Sequence, residues 1–245
     1  MSHADFTRPG PWVELFPSAL ALMAHLESQT REPMWTFGGG TVLMLRIGHR
    51  QSKDIDLFVP DPQYLGYVNP RLSDAAESVT TDYEENAECI KLFLPAGEID
   101  IVVGQSLTEQ PFDLVLHEGR SIRVETCAEI IAKKMWHRGD RAKARDLYDL
   151  CAVASAEPEA IAIAAPFMRR HGATFLQVLR ERADVLRADF GQIDSIGHRP
   201  PSFDDCLVIA TEIIESILAK GAQAERFGES EAAAAPDTSP DDPSP

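Results

Sequence analysis

The sequence predicts an α/β (α+β) fold in which a mixed sheet forms the first half of the chain and a helical region the second. Three observations predict it. Short strand-like runs, bounded by glycine or proline turns, are confined to the chain before about residue 125. Beyond that point apolar residues recur only at helical spacing. With 245 residues and 44% apolar content, the chain can bury a sizeable core, as one large domain or two small ones. The expected organisation is a core over residues 1–125, a helical domain over 126–221 and a disordered acidic tail over 222–245.

Taken in order, residues 17–29 predict a helix, because Ala19, Leu22 and Leu26 share a stripe that Met23 extends. Residues 34–37 form a short strand-like run stopped by Gly38-Gly39-Gly40, and residues 41–47 read as a helix. The polar loop 48–52 leads into 54–59, whose first half alternates acid and apolar residues with the period of a strand. Turn-rich sequence over 60–70 precedes a helix at 71–79. Strands at 89–94 and 98–103 flank Pro95-Ala96-Gly97, a hairpin signal, and a second pair at 112–116 and 121–124 flanks His117-Glu118-Gly119-Arg120. Thr126-Cys127-Ala128-Glu129 fits a capping box directly before Ile130-Ile131. Further helices are expected at 145–155, 158–170, 174–188 and 203–219.

The net charge of −16 excludes a generic, globally basic nucleic-acid binder, although a local basic patch remains compatible with it. Residues 222–245 carry six acids against one base, which removes −5 from that total and leaves −11 on the body. This stretch has almost no large apolar side chains with which to offset its ordering entropy. The cysteines Cys89, Cys127, Cys151 and Cys206 are scattered without a CxxC pair, so reduced thiols in a cytoplasmic protein are expected. The N-terminal residues do not read as a signal peptide, and no apolar run approaches the ~18 residues of a membrane span.

Three pieces of sequence carry chemistry. Gly38-Gly39-Gly40-Thr41 is a glycine turn opening a helix, where backbone can approach a ligand and unpaired N–H groups can meet a phosphate. Asp54-Ile55-Asp56 places two carboxylates at i and i+2, on one face of a strand, where their repulsion is relieved by a divalent cation. Asp100, inside the apolar run 98–103, is costly to bury without a partner and would find one in the same cation. Downstream, Lys134, Arg138, Arg141 and Arg145 recur at three to four residues and form a basic stripe suited to a triphosphate. Asp146 and Asp149 lie one turn apart beside it, as ligand-binding residues or as a structural ion cluster. The histidines His49, His117, His137 and His171 lack metal-ligand spacing.

Together the glycine turn, the DxD strand and the third aspartate resemble the polymerase-β-like nucleotidyltransferase superfamily. The resemblance sharpens in Gly39-Gly40-Thr41, Arg46, Arg50 and Ser52-Lys53-Asp54-Ile55-Asp56-Leu57-Phe58, then in Glu129-Ile130-Ile131-Ala132-Lys133-Lys134-Met135, Arg141 and Arg145-Asp146-Leu147-Tyr148-Asp149-Leu150. These look like the motifs of the AbiEii-type nucleotidyltransferases, which include toxins of type IV toxin–antitoxin and abortive-infection systems. The resemblance covers roughly residues 36–150 and leaves the helical last third unmatched.

It implies a polymerase-β-like sheet core whose nucleotide cleft is closed by the helical domain. Asp54, Asp56 and Asp100 would be catalytic and would ligate Mg²⁺ or Mn²⁺, with Asp100 as general base. Lys134, or alternatively its neighbour Lys133, would neutralise phosphate charge. Gly39, Gly40, Thr41, Ser52, Lys53, Arg141, Arg145 and Asp146 would form the nucleotide site. The implied reaction moves an NMP from an NTP to an acceptor hydroxyl on RNA such as tRNA, or on protein, in a growth-arresting toxin with a cognate antitoxin as partner and no membrane attachment. The alternatives are a small-molecule (antibiotic-type) nucleotidyltransferase and a non-catalytic nucleotide-binding relative.

Overall fold

A computed structural model describes residues 2–31, 33–197 and 201–233. The elements run α1 (Trp12–Gln29), β1 (Thr36–Gly38), α2 (Gly39–Ile47), β2 (Ile55–Val59), a 3-10 turn (Pro62–Tyr64), α3 (Leu65–Val68), α4 (Asp74–Glu77), β3 (Tyr83–Glu85), β4 (Cys89–Leu94) and β5 (Gly97–Val103). They continue with β6 (Phe112–His117), β7 (Arg120–Glu125), α5 (Cys127–Arg138), a 3-10 turn (Gly139–Arg141), α6 (Ala144–Ala156), α7 (Pro158–Met168), α8 (Gly172–Glu181), α9 (Ala183–Gly191) and α10 (Phe203–Ala233).

The seven strands form one mixed sheet in the order β3-β4-β5-β2-β1-β7-β6. β2 runs parallel to β5, and β1 parallel to β7; the other neighbours are antiparallel. Alternation divides the sheet into two faces. Phe37, Ile55, Leu57, Ile99, Ile101, Ile122 and Val124 carry the buried apolar face. There α1 packs on β2 and β5, and α2 on β1, β2 and β7. The other face presents Asp56 and Phe58 of β2 and Asp100 of β5, only partly buried, and is left open for a cleft.

Local chemistry explains several boundaries. The β6–β7 hairpin turns through Glu118 at φ 48° and Gly119 at φ 82°, the left-handed pair that a two-residue hairpin demands. Thr126 caps α5 by accepting from the Glu129 N–H at 3.2 Å. The Glu129 side chain does not complete the expected capping box. It turns instead to accept from the N–H groups of Leu107 and Thr108 at 2.9 and 2.8 Å, tying the 104–111 loop to α5. Arg46, buried on α2, donates to the carbonyls of Val124 and Glu125 and to Asp113, and so fastens the helix to β7 and β6.

Some sequence expectations shift. The first helix begins at Trp12 and accommodates Pro17 within its second turn. The helix expected over 71–79 is a single turn, Asp74–Glu77. The one expected over 174–188 is two helices, α8 and α9, joined at Arg182. The last helix continues to Ala233, so residues 222–233 of the expected tail are helical, while residues 234–245 lie outside those described. Among the described residues no helix is long and apolar enough to cross a membrane.

Because Leu57 is fully buried on the central strand, Leu57→Ala should cost about 2–5 kcal/mol of unfolding free energy, measurable by urea denaturation.

Candidate active site

The strand register builds the acidic centre. Asp56 lies directly across from Asp100 on parallel β5 and across from Gly38 on antiparallel β1, while Asp100 also faces Lys91 on β4. A single row, Lys91–Asp100–Asp56–Gly38, therefore crosses four strands on the cleft side of the sheet. A Cβ at Gly39, which has φ 72°, would collide with the Asp56 carboxylate, so glycine is required there both for conformation and for close approach. A Cβ on Gly40 would stand 2.8 Å from Arg50 and 3.1 Å from Ser52. Thus α2 begins against the carboxylate of Asp56, with Arg50 and Ser52 beside its first turn.

Asp54 behaves differently from Asp56. It stands one residue ahead of β2, so strand alternation does not extend to it, and its carboxylate accepts from the Glu98 N–H at 3.2 Å. Among the described residues no three His, Cys, Asp or Glu side chains are drawn together as metal donors. Asp100 divides its oxygens: Oδ2 accepts from Lys91 at 2.9 Å, while Oδ1 is buried with no hydrogen-bond partner. Burial first, and then the charge of Asp56, push the Asp100 carboxyl up to about 6, against the pull of Lys91. Lys91 in turn is held charged. Burial opposes its ammonium form, but the hydrogen bonds and charges of Glu98 and Asp100 outweigh that and raise its pKa.

Opposite the acids, α5 and α6 supply a cationic wall whose inner members are fixed by buried aspartates. Asp149, with no exposed surface, accepts from Arg50 Nε at 2.6 Å, Arg50 Nη2 at 3.0 Å and His49 Nε2 at 2.8 Å, and pairs with Lys134 at 2.9 Å. Asp146 accepts from Lys134 at 3.0 Å, from Arg138 at 2.5 Å and from the Lys143 N–H at 3.2 Å. Burial alone would raise both carboxyls; for Asp149 the charges of Lys134 and Arg50, and for Asp146 those of Lys134 and Arg138, outweigh it. Asp149 ends well below the ordinary carboxylate range and Asp146 below it. Lys133 is directed elsewhere, donating to Glu125 at 2.6 Å with its ammonium 4.0 Å from the centre of the Phe58 ring.

These elements enclose a cleft of about 580 Å³. It brings together Gly39, Gly40, Ser52, Asp54, Asp56, Asp100, Lys133, Lys134, Arg141 and Arg145 of the residues singled out in the sequence. Three others do not line it. Thr41 is fully buried and donates to the Asp54 carbonyl at 2.5 Å, so its hydroxyl positions the backbone before β2. Lys53 is exposed and does not line the cleft. Asp146 also stays outside the lining, buried beneath the lysine and arginine it holds. The sequence reading missed Lys91, Glu98, Glu125 and Phe58, which also line the cleft. For Lys91 a signal existed, because a hairpin closing at Pro95-Ala96 sets residues 91 and 100 opposite each other.

Comparison with known proteins assigns the family and shows the fold elsewhere. The sequence profile of the nucleotidyl transferase AbiEii toxin family, of the type IV toxin–antitoxin system, matches residues 21–232. The chain belongs to the AbiEii nucleotidyltransferase family. The AbiEii match extends through the helical region that the motifs alone left unassigned. The solved structure of JHP933 from Helicobacter pylori shares the fold at 15% identity, with a TM-score of 0.50 over 92% of this chain and 100% of that one. A second H. pylori structure, provisionally described as a nucleotidyltransferase, does so at 16% identity and a TM-score of 0.50, over 89% of this chain and 99% of that one. No curated protein matches the chain.

Asp149→Asn removes the carboxylate charge that pairs with both Arg50 and Lys134 and should cost about 3–5 kcal/mol, as expected when one partner of a buried ion pair is lost. The folded-state pKa of Asp149 is depressed, so its contribution is fully present above the ordinary value of 3.8 and is lost as pH falls below it. Urea denaturation of both proteins should therefore give a constant difference from neutral pH down to that value, and a shrinking difference below it.

Proposed function

We propose that the cleft transfers a nucleoside monophosphate from an NTP to an acceptor hydroxyl, on RNA such as tRNA or on protein, and that this modification arrests growth. The observation that carries the reading is the placement of Asp56 and Asp100 side by side on parallel strands, at the mouth of a glycine turn and facing a wall of fixed cations. A triphosphate needs close backbone approach at one end and Lys or Arg donors along its length. Gly39, Gly40 and Ser52 supply the first; Arg50, Lys134 and Arg138 supply the second, with Arg141 and Arg145 exposed at the rim.

The acidic residues fit a divalent ion. Mg²⁺ commonly binds through one or two carboxylates and completes its shell with substrate phosphates, so a preformed three-acid cage is not required. Asp100 offers a buried oxygen with no protein partner, next to a second carboxylate that repels it. Asp56 and Asp100 would hold the ion, and Asp54 would join them by giving up its contact with the Glu98 N–H. Bound there, Mg²⁺ or Mn²⁺ would supply charge neutralisation between carboxylates and phosphates.

Asp100 has the attributes of the general base. Its carboxyl, pushed up to about 6 by burial and by the charge of Asp56, lies on the cleft face, where it can accept the proton of the attacking hydroxyl. Arg50 and Lys134, immobilised by Asp149, meet the negative charge that builds as pyrophosphate departs. Asp146 acts one step back, by holding Lys134 and Arg138. The family match, to a toxin of a type IV toxin–antitoxin system, supports a cognate antitoxin as partner.

Incubation with each labelled NTP, Mg²⁺ and total RNA or lysate should release pyrophosphate and label a macromolecule, with both signals lost in Asp56→Ala and reduced at least ~10²-fold in Asp100→Asn. Label in RNA or in protein identifies the acceptor. Label in neither, with NTP still bound, would sink the transferase reading in favour of a binding role.

A further inference from the structure

We propose that β6, the free edge of the sheet farthest from the acidic centre, joins two copies of this chain by antiparallel pairing with its twin about a two-fold axis at Val115. The two ends of the sheet differ in how they are protected. At one end β3 spans three residues, Tyr83–Glu85, two of them glutamates, and a short charged edge resists pairing. At the other end β6 spans six residues, Phe112–His117, with no lysine and no proline, in unbroken register with β7. Leu114 and Leu116 stand 68% and 75% exposed on it, more than any other large apolar side chain among the described residues. The backbone of this edge is set for a further strand. Thr126 donates its N–H to the Pro111 carbonyl at 2.9 Å, so residues 111 and 126 are a hydrogen-bonded pair, and by alternation so are 113 with 124, 115 with 122 and 117 with 120. Asp113, Val115 and His117 therefore spend their backbone groups on β7, while those of Leu114 and Leu116 point outward from the sheet.

The sequence of β6 matches itself in one register. With Val115 opposite its own copy, Leu114 lies opposite the partner's Leu116, and Asp113 lies opposite the partner's His117. Each leucine pair exchanges the outward backbone hydrogen bonds. Each Asp113–His117 pair falls at a non-hydrogen-bonded position, where opposed side chains come closest. Asp113 has Oδ1 to offer there, because Arg46 takes Oδ2. A slip of one residue would turn the leucines against the core-side residues of the other copy, and a slip of two in either direction would part Asp113 from His117. This self-match, added to the open edge, points to a second copy as the occupant. The axis stands perpendicular to the sheet, so one sheet continues through both copies and their clefts open to the same side. Asp56 lies on β2, three strands in from β6, which leaves the two acidic centres roughly 34 Å apart along the sheet at about 4.8 Å per strand, and neither cleft is obstructed.

The test is the mass of the full-length chain by sedimentation equilibrium across micromolar concentrations. Wild type is expected to pass from monomer to dimer as concentration rises. Leu114→Lys combined with Leu116→Lys sets lysine opposite lysine at both leucine pairs and is expected to stay monomeric. Leu114→Lys combined with Leu116→Glu sets lysine opposite glutamate at both and is expected to dimerise again. Both positions are exposed, so the core is untouched, and circular dichroism confirms that each variant is folded. The register has its own readout. The native thiols other than Cys89 are buried, so the comparison is made in a Cys89→Ser background. There, Val115→Cys is expected to form a disulfide between copies under diamide faster than Leu114→Cys, although Leu114 is the more exposed residue, because only residue 115 meets its own copy. A wild type that is monomeric at every concentration, a dimer that both double variants affect alike, or faster linking through Leu114→Cys would overturn the inference. Association of β6 with a strand from a different protein, the chain alone staying monomeric, would overturn it in favour of that partner.

Discussion

A carboxylate withdrawn from water is tolerable only where cations and hydrogen-bond donors take the solvent's place, and Asp149 meets that condition with four contacts from two separate stretches of chain. Arg50 and His49 come from the loop between the glycine-turn helix and the DxD strand; Lys134 comes from α5; Asp149 itself is on α6. One buried anion thus fixes where the loop after α2 can lie, which way Lys134 extends, and how closely the helical region approaches the sheet. The arginine and lysine that reach the cleft are consequently set before any ligand arrives. Electrostatic stabilisation is strongest when donors need no reorganisation.

The sheet makes the complementary contribution. Parallel pairing of β2 with β5 is what sets Asp56 beside Asp100, and a register slip of one residue would swap the carboxylates for isoleucines and bury charge in the core. The isoleucine and leucine residues between the acids are therefore as much a part of the site as the acids, because their burial under α1 and α2 pins the register. The overall charge of −16 gives no hint of the local potential at the cleft. There lysines and arginines from α5, α6 and the turn between them are gathered on one wall, facing the acids carried by the sheet.

Much of this was legible in the sequence, for identifiable reasons. The two hairpins, the change from strands to helices near residue 125 and the Thr126 cap follow from local signals, and the glycine turn and the acidic strand carry short-range geometry that a reader can count. What escaped needed tertiary information. Nothing local indicates that Asp149 pairs with Arg50 a hundred residues earlier, so the 146–149 pair could not be divided between binding and structure by sequence alone. Thr41 was assigned to the ligand because it follows the glycines, but helix geometry turns it inward to the Asp54 carbonyl. The Asp54-Ile55-Asp56 motif reads from sequence as a strand with both acids in phase, whereas the strand starts after Asp54. Lys91 is the instructive case, since its position was implied by a hairpin already recognised, and only its charge relation to Asp100 went uncounted.

The segment after α9 returns to the start of the site. Gln51 donates its N–H to the Asp194 carbonyl at 2.7 Å, Ile196 donates to the His49 carbonyl at 3.1 Å, and Ser195 accepts from the Tyr148 hydroxyl at 3.2 Å while bridging Arg50. The stretch that carries Arg50 is thus gripped from both sides, by α6 and by this late segment. During synthesis the loop leaves the ribosome about 145 residues ahead of its last backbone partner, a wait of roughly 7–30 s at ordinary elongation rates. Until then the Arg50 backbone lacks its bridge to Ser195. A nascent fragment carrying all three aspartates and the whole sheet accordingly still lacks both Asp149 and the 194–196 segment that together hold the Arg50 stretch of the cleft.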